Sequence, residues 1–427
     1  MVRADESRVR EWAQRLGVPL ADAILRALRE SFADPGPVPT VLAICPNSEA
    51  VVKASIRAAK EADAPLFFAA TLNQVDLDGG YTGWTQADFV RLVRELVAAE
   101  GYSGPVVVGL DHGGPWLKDV QARERWPLER AMQGVRESLA ACLDAGYDLL
   151  HVDPTVDRTL PPGQPLPIEV VVERTLELMA FAESHRRQRG FAPVSYEVGT
   201  EEVHGGLADL TVFRAFLEGL KRGLAARGLG DVWPCFVVGK VGTDLHTTEF
   251  DPAVARALVA AARPYGCAIK GHYTDSVSNP EAYPEAGMGG ANVGPEFTEA
   301  EYQALADLAG REAAGARSGI LEALRDAVVA SGRWEKWRLP DEQGKDFSEL
   351  SPERQGWLVR TGCRYIWSQP EVVAARQRLY ANLEAAGERA EDFVLGRIGA
   401  VIHKYFRAFR LTGTLGPIER ALSAPRS

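Results

Sequence analysis

Apolar positions along this chain fall into two registers. From residue 5 to residue 33 they recur at helical spacing, with Val9, Trp12 and Leu16 followed by Leu20, Ile24, Leu25 and Leu28. Prolines at 35, 37 and 39 close the segment, so the pattern predicts an N-terminal helical stretch. Eight short apolar runs follow. They are VLAIC (41–45), PLFFAATL (65–72), PVVVGLDH (105–112), DLLHVD (148–153), PVSYEVG (193–199), CFVVGKVG (235–242), CAIKGH (267–272) and GGANVG (289–294). Several are continuous rather than alternating, which suits parallel strands covered on both faces. Most are separated by amphipathic stretches of helical period, such as EAVVKASIRAAKEA, QADFVRLVRELVAAE and ERAMQGVRESLAACLDAG.

Strands alternating with helices imply βα units and a parallel sheet, and eight units imply a (β/α)8 barrel. The glycine-rich eighth run is the weakest strand candidate. An open doubly wound sheet is the alternative, but no GxGxxG follows the first run. The division expected is an N-terminal helical segment over 1–38, a barrel over 39–315 and a helical C-terminal extension over 316–427. That extension carries GRWEKWRLP and CRYIWSQP, and it is expected to pack on the barrel or to serve an oligomer contact.

Composition narrows the class of partner. Of 427 residues, 46% are hydrophobic and 25% charged, enough for a large core without disulfide or metal staples. The net charge of −10 argues against nucleic acid or an anionic membrane surface, each of which wants a basic face. Five cysteines, an odd number with no CxxC pair, read as reduced thiols. The N-terminus has no apolar leader region and no apolar run reaches membrane-spanning length, so a cytoplasmic location is expected.

In such a barrel the chemistry lies at the C-terminal ends of the strands. The polar residues there are Asn47, then Gln74, then the pair Asp111 and His112, then Asp153. Glu197, Glu201, Glu202 and His204 follow, then Thr243, Asp244 and His246, then His272, Thr274 and Asp275, with Glu296 and Thr298 last. The chain has seven histidines, and His112, His204, His246 and His272 all fall at or just past run ends. Imidazoles with carboxylates around one barrel mouth are the composition of a divalent transition-metal site. His151, inside a run, and His403, inside a helical stretch, read as structural. His185 reads as a solvated helix-end residue, and His204 as either a loop residue or a substrate contact.

LDHG (110–113), GTxxH (242–246) and GH (271–272) resemble the metal-ligand strands of class II fructose- and tagatose-bisphosphate aldolases. A closer resemblance is to the non-catalytic subunit family of tagatose-bisphosphate aldolase. It is carried by NQVxxxGGYTG (73–83), DHxGP (111–115), SYxxGTE (195–201), HxTD (272–275), VGPxxT (293–298), RYxW (364–367) and NLE (382–384). Some members of that family are ketose 4-epimerases acting on fructose 6-phosphate and tagatose 6-phosphate. Others are chaperone-like partners of a catalytic aldolase subunit.

The resemblance implies His112, His246 and His272 as ligands to a divalent metal, zinc first, with manganese, cobalt or nickel as alternatives. It implies Asp111 as the acid–base group, with Glu197 as a second candidate for base or ligand. Asn47, Gln74, Asp153, Glu201, Asp275 and Asn292 are expected to hold substrate. The implied activity is a metal-dependent interconversion of fructose and tagatose, free or as the 6-phosphate, by retro-aldol cleavage and re-addition. The alternative is a non-catalytic stabilising subunit of tagatose-1,6-bisphosphate aldolase. Expected partners are a ketose or ketose phosphate, and either a second copy of the chain or a catalytic aldolase subunit. A sugar kinase is disfavoured because no P-loop or glycine-rich nucleotide fingerprint is present. Two departures bear on the phosphate. HYTDSVS stands where the aldolases have a glycine/serine loop, and the GGAN before VGP lacks the closer family's lysine, so a free ketose stays open.

Overall fold

The computed structural model describes residues 3–32, 36–161, 164, 166–199, 209–243, 249–313 and 315–424. Eight parallel strands close into a barrel in sequence order. They are β1 (Val41–Ile44), β2 (Leu66–Thr71), β3 (Val106–Gly113), β4 (Leu149–Val152), β5 (Ser195–Gly199), β6 (Phe236–Val238), β7 (Ala268–Gly271) and β8 (Gly290–Val293). Each apolar run supplies one strand, including the glycine-rich eighth, which pairs with β1 over its whole length. The sixth run is the outlier. Only three of its residues are strand, because Gly239 and Gly242 interrupt the GKVG that follows.

The N-terminal stretch is two helices rather than one, α1 (Arg8–Leu16) and α2 (Leu20–Phe32). Gly17 adopts a left-handed conformation that ends α1, and Pro19 immediately precedes α2. These helices plug the N-terminal end of the barrel. Ala21, Ile24, Leu25 and Leu28 of α2 share a cluster with the inward residues Val41, Ala43, Phe67, Ala69, Val107, Leu149 and Phe236. A separate, larger apolar layer lies between the outer strand faces and the surrounding helices.

The plug also carries charge. Arg10 of α1, only 5% exposed, donates to Asp5 (2.6 and 3.1 Å), to Asp148 (2.6 and 3.1 Å) and to the Val106 carbonyl (2.8 Å). Asp5 accepts from the Val106 amide and Asp148 from the Val108 amide. The C-terminal helices wrap one side of the barrel. Ala390–Ala408 lies along Glu49–Ala62 and Pro295–Ala309, while Leu415–Ser423 packs on α2. Among the described residues no helix is long and apolar enough to cross a membrane.

Candidate active site

Above the apolar plug, the inward positions turn polar. Side chains alternate across a strand, so the register places Asp111 of β3, His151 of β4, Glu197 of β5, Lys270 of β7 and Asn292 of β8 on the interior. All five are buried. His112 would ordinarily point outward, away from its neighbour Asp111. Two features bring it to the same mouth. Its φ is +52°, a left-handed conformation costing about 1–3 kcal/mol, and the β3–β4 register shifts between Leu110 and Gly113. The glycines behind it allow this bulge. A Cβ on Gly113 would lie 2.6 Å from the His151 carbonyl oxygen, and one on Gly114 would lie 1.7 Å from that of Asp153.

The imidazoles of His112 and His272 converge, with His112 Nε2 3.1 Å from His272 Nδ1. The far nitrogen of each ring faces a carboxylate. His112 Nδ1 is 2.8 Å from Asp153 Oδ2, and His272 Nε2 is 3.1 Å from Glu197 Oε1. A proton on each far nitrogen satisfies those contacts; the near nitrogen of metal-free His112 holds a second proton for His272 Nδ1, and loss of that proton leaves both near nitrogens with lone pairs facing the same gap. That is the carboxylate–histidine arrangement which orients imidazole ligands toward a divalent cation. One ligand atom each from Asp111, His151, Glu197 and His272 also lies within a sphere of mutual distances under 4.8 Å. The donor set therefore fits a divalent cation.

Electrostatics sharpen the roles. Burial pushes the Asp111 carboxyl up, but the imidazoles of His112 and His272 outweigh it and hold the group well below the usual carboxylate range. Its Oδ2 accepts from Asn292 Nδ2 at 3.1 Å. Burial raises Glu197, but Lys270, 2.6 Å from its Oε2, together with His151 and His272 brings it to about 2. Burial lowers His112, yet Asp111 and Asp153 raise it to about 9. Burial holds His272 below its ordinary value.

His151 is the residue that sequence reasoning misplaced. Its Nδ1 accepts the His112 amide at 3.0 Å and also faces Asp111 Oδ1 at 3.1 Å, while its buried Nε2 has no hydrogen-bond partner. It sits in the middle of the cluster, not in a plain structural niche. The signal available was period two: His151 and Asp153 share a face, as do Lys270 and His272. Lys270 was missed for the same reason.

Of the other expected residues, Asn47 and Gln74 line the mouth and bond each other at 2.8 Å. Asp153 has both oxygens engaged, on His112 and on Thr155. Asp275 and Asn292 also line the mouth. His246 and Glu201 lie outside the described residues, as do Glu202, His204 and Asp244. His185 bonds Asp144 and His403 bonds Glu61, each on a helix away from the mouth.

The C-terminal extension supplies one wall, and the GRWEKWRLP and CRYIWSQP stretches provide it. Arg333, Lys336, Trp337, Arg364 and Tyr365 all reach the mouth. Arg333 and Lys336 share the single carboxylate of Asp119. Arg364 is 6% exposed and stacks 4.8 Å from the ring centres of both Trp337 and Tyr365. It has no carboxylate within ion-pair distance among the described residues.

Residues 30–408 match the model of the GatZ/KbaZ-like family, described as D-tagatose-1,6-bisphosphate aldolase subunit GatZ/KbaZ-like. Among solved structures, the chain is similar to a probable tagatose 6-phosphate kinase from Sinorhizobium meliloti 1021. That likeness has a TM-score of 0.68 at 24% identity, covering 86% of this chain and 100% of the other. It is also similar to the fructose-bisphosphate aldolase of Campylobacter jejuni, with a TM-score of 0.53 at 12% identity, covering 91% and 92% of the two chains. At these identities the likenesses speak to the fold.

Proposed function

The chain belongs to the GatZ/KbaZ-like family of D-tagatose-1,6-bisphosphate aldolase subunits, and on that premise we propose that it is a metal-dependent ketose 4-epimerase interconverting fructose and tagatose 6-phosphates. The observation that carries this reading is the convergence of His112 and His272, each backed by a carboxylate, beside the anionic Asp111. A subunit with a purely stabilising role has no use for such a set.

Fructose and tagatose differ only at C4. The hydrogen there is β to the C2 carbonyl and is not acidic, so direct proton removal is unfavourable. Cleavage of C3–C4 needs only the C4 hydroxyl proton to leave. Asp111 accepts that proton as the bond breaks, and the C4 fragment departs as an aldehyde. The aldehyde rotates, C3 attacks its opposite face, and Asp111 returns the proton to the new C4 oxygen. A bound divalent cation supplies Lewis-acid stabilisation of the enediolate charge left on C1 to C3. His112 and His272 would hold it, with His246 as the third ligand the resemblance implies. Asn292 orients Asp111, Asp153 fixes the His112 ring, and Glu197, tied to Lys270, fixes the His272 ring.

The phosphate is supported by the C-terminal wall. Arg333 and Lys336 share the one carboxylate of Asp119, while Arg364 faces the charge of Asp275, so the Arg333–Lys336 pair keeps the surplus positive charge that would meet a ligand anion.

A second reading is the one the comparisons favour. The matched family is described as an aldolase subunit, which supports a non-catalytic stabilising partner of the catalytic chain. Product analysis separates the two. Purified protein loaded with metal should form tagatose 6-phosphate from fructose 6-phosphate, and a chelator should stop it. No product at verified metal occupancy, together with stabilisation of a catalytic aldolase subunit, would establish the second reading instead.

A further inference from the structure

(β/α)8 barrels commonly bind phosphate at the helix N-terminus beyond β7 and β8, where free backbone amides and the helix dipole converge. In this chain that corner is already filled. Asp275 Oδ1 accepts the Gly294 amide at 2.9 Å and the Glu296 amide at 2.8 Å, at the start of the Pro295–Ala309 helix. The contact is reciprocal, because Glu296 Oε2 accepts the Ser276 amide at 2.7 Å. Tyr405 and Lys404 hold the same Glu296 carboxylate from the C-terminal extension. The clasp is built against strain. Tyr273 and Ser276 both have positive φ, at +54° and +53°. Gly294 is needed for the approach, since a Cβ there would lie 2.8 Å from that of Cys45.

The second oxygen of Asp275 has no hydrogen-bond partner among the described residues, and the residue lines the mouth. We propose that Asp275 is a specificity-determining residue: its carboxylate takes the place of a phosphate at the β7–β8 corner, so the ligand end reaching that corner is an uncharged hydroxymethyl group. One oxygen is spent on the amides, and the other is left to accept the hydroxyl. A phosphate would find its amide donors already occupied. Burial raises the carboxyl to about 6, so it is anionic at neutral pH. The ligand thus carries at most one phosphate, at the end held by Arg333 and Lys336. This deepens the ketose reading given above and rests on it for the identity of the ligand.

The test is titration of the metal-loaded protein with inorganic phosphate and with fructose 1,6-bisphosphate, followed by calorimetry. Asp275→Ala should bind both at least about tenfold more tightly than the unaltered protein. Asp275→Asn, whose carbonyl oxygen can still cap the amides, should stay within about twofold for both. If Asp275→Ala does not fold, as judged by its melting curve, Asp275→Gly takes its place with the same expectation. No gain in the folded Ala or Gly variant would overturn the proposal. So would an equal gain in Asp275→Asn, which would mean that Asp275 acts only through its charge on Arg364. The phosphate titration needs neither sugar binding nor turnover, so its result stands whether or not the protein proves to be an epimerase.

Discussion

The two ends of the barrel each bury a cluster of charged groups, and they differ in whether the cluster is complete. At the N-terminal end, Arg10 meets Asp5, Asp148 and a backbone carbonyl, and both carboxylates also take backbone amides. Donors and acceptors match, so nothing in that cluster calls for a ligand. At the C-terminal end the partners do not close among the described residues. Among the described residues His112 and His272 meet nitrogen to nitrogen, His151 Nε2 has no hydrogen-bond partner, and Arg364 has no carboxylate within ion-pair distance. Burial alone does not mark a functional site. A buried polar set that its own side chains cannot satisfy does, because leaving it incomplete costs about 1–3 kcal/mol per group.

The contrast can be broken from the upper end first. His272→Ala should abolish metal retention and lower activity on the order of 10³-fold, since the cation supplies several kcal/mol of transition-state stabilisation. The melting temperature of the metal-free variant should stay close to that of the unaltered protein. Metal analysis of the purified variant checks this, and full occupancy with full activity would remove His272 from the site.

The lower end should respond in the opposite sense. Arg10→Ala leaves Asp5 a buried charge without its cation and Asp148 with Arg3 alone, and should cost about 3–5 kcal/mol of stability, with turnover per folded molecule unchanged. Denaturant unfolding measures the first and active-site-normalised rates the second. The smallest effect is in pH. In the metal-free protein His112 is raised from 6.5 to about 9. Its folded value lies above its unfolded one, so its stabilising contribution is full below about pH 6.5 and is lost as the pH rises through 9. Thermal melts of the metal-free protein should therefore fall across that window, and His112→Gln should flatten the slope. The lower cluster contains no histidine to titrate there.

Much of this was legible in the sequence, for definite reasons. The strands were readable because each apolar run is bounded by turns and helices, and Asp111, His112 and His272 because they end such runs. Gly17 and Pro19 mark the break between α1 and α2, which the unbroken helical period of the apolar residues hides. His151 was set aside because a histidine inside an apolar run looks like core. Only the closed barrel shows that its face is the one shared by Asp111 and Glu197. The role of Asp153 against His112 depends on a bulge whose left-handed residue is not a glycine, and no spacing rule reports that. Arg364 lies more than 200 residues beyond Asp111 in the chain, and its arrival at the mouth is a tertiary event.

The most direct test of the epimerase reading follows C4 itself. The metal-loaded protein is incubated with fructose 6-phosphate in D2O, and the tagatose 6-phosphate formed is examined by NMR for deuterium at C4. Retro-aldol epimerisation keeps the C4–H bond intact, so the account predicts product that depends on metal and carries no deuterium there. Deuterium at C4, or no product from protein whose metal occupancy has been verified, would contradict it.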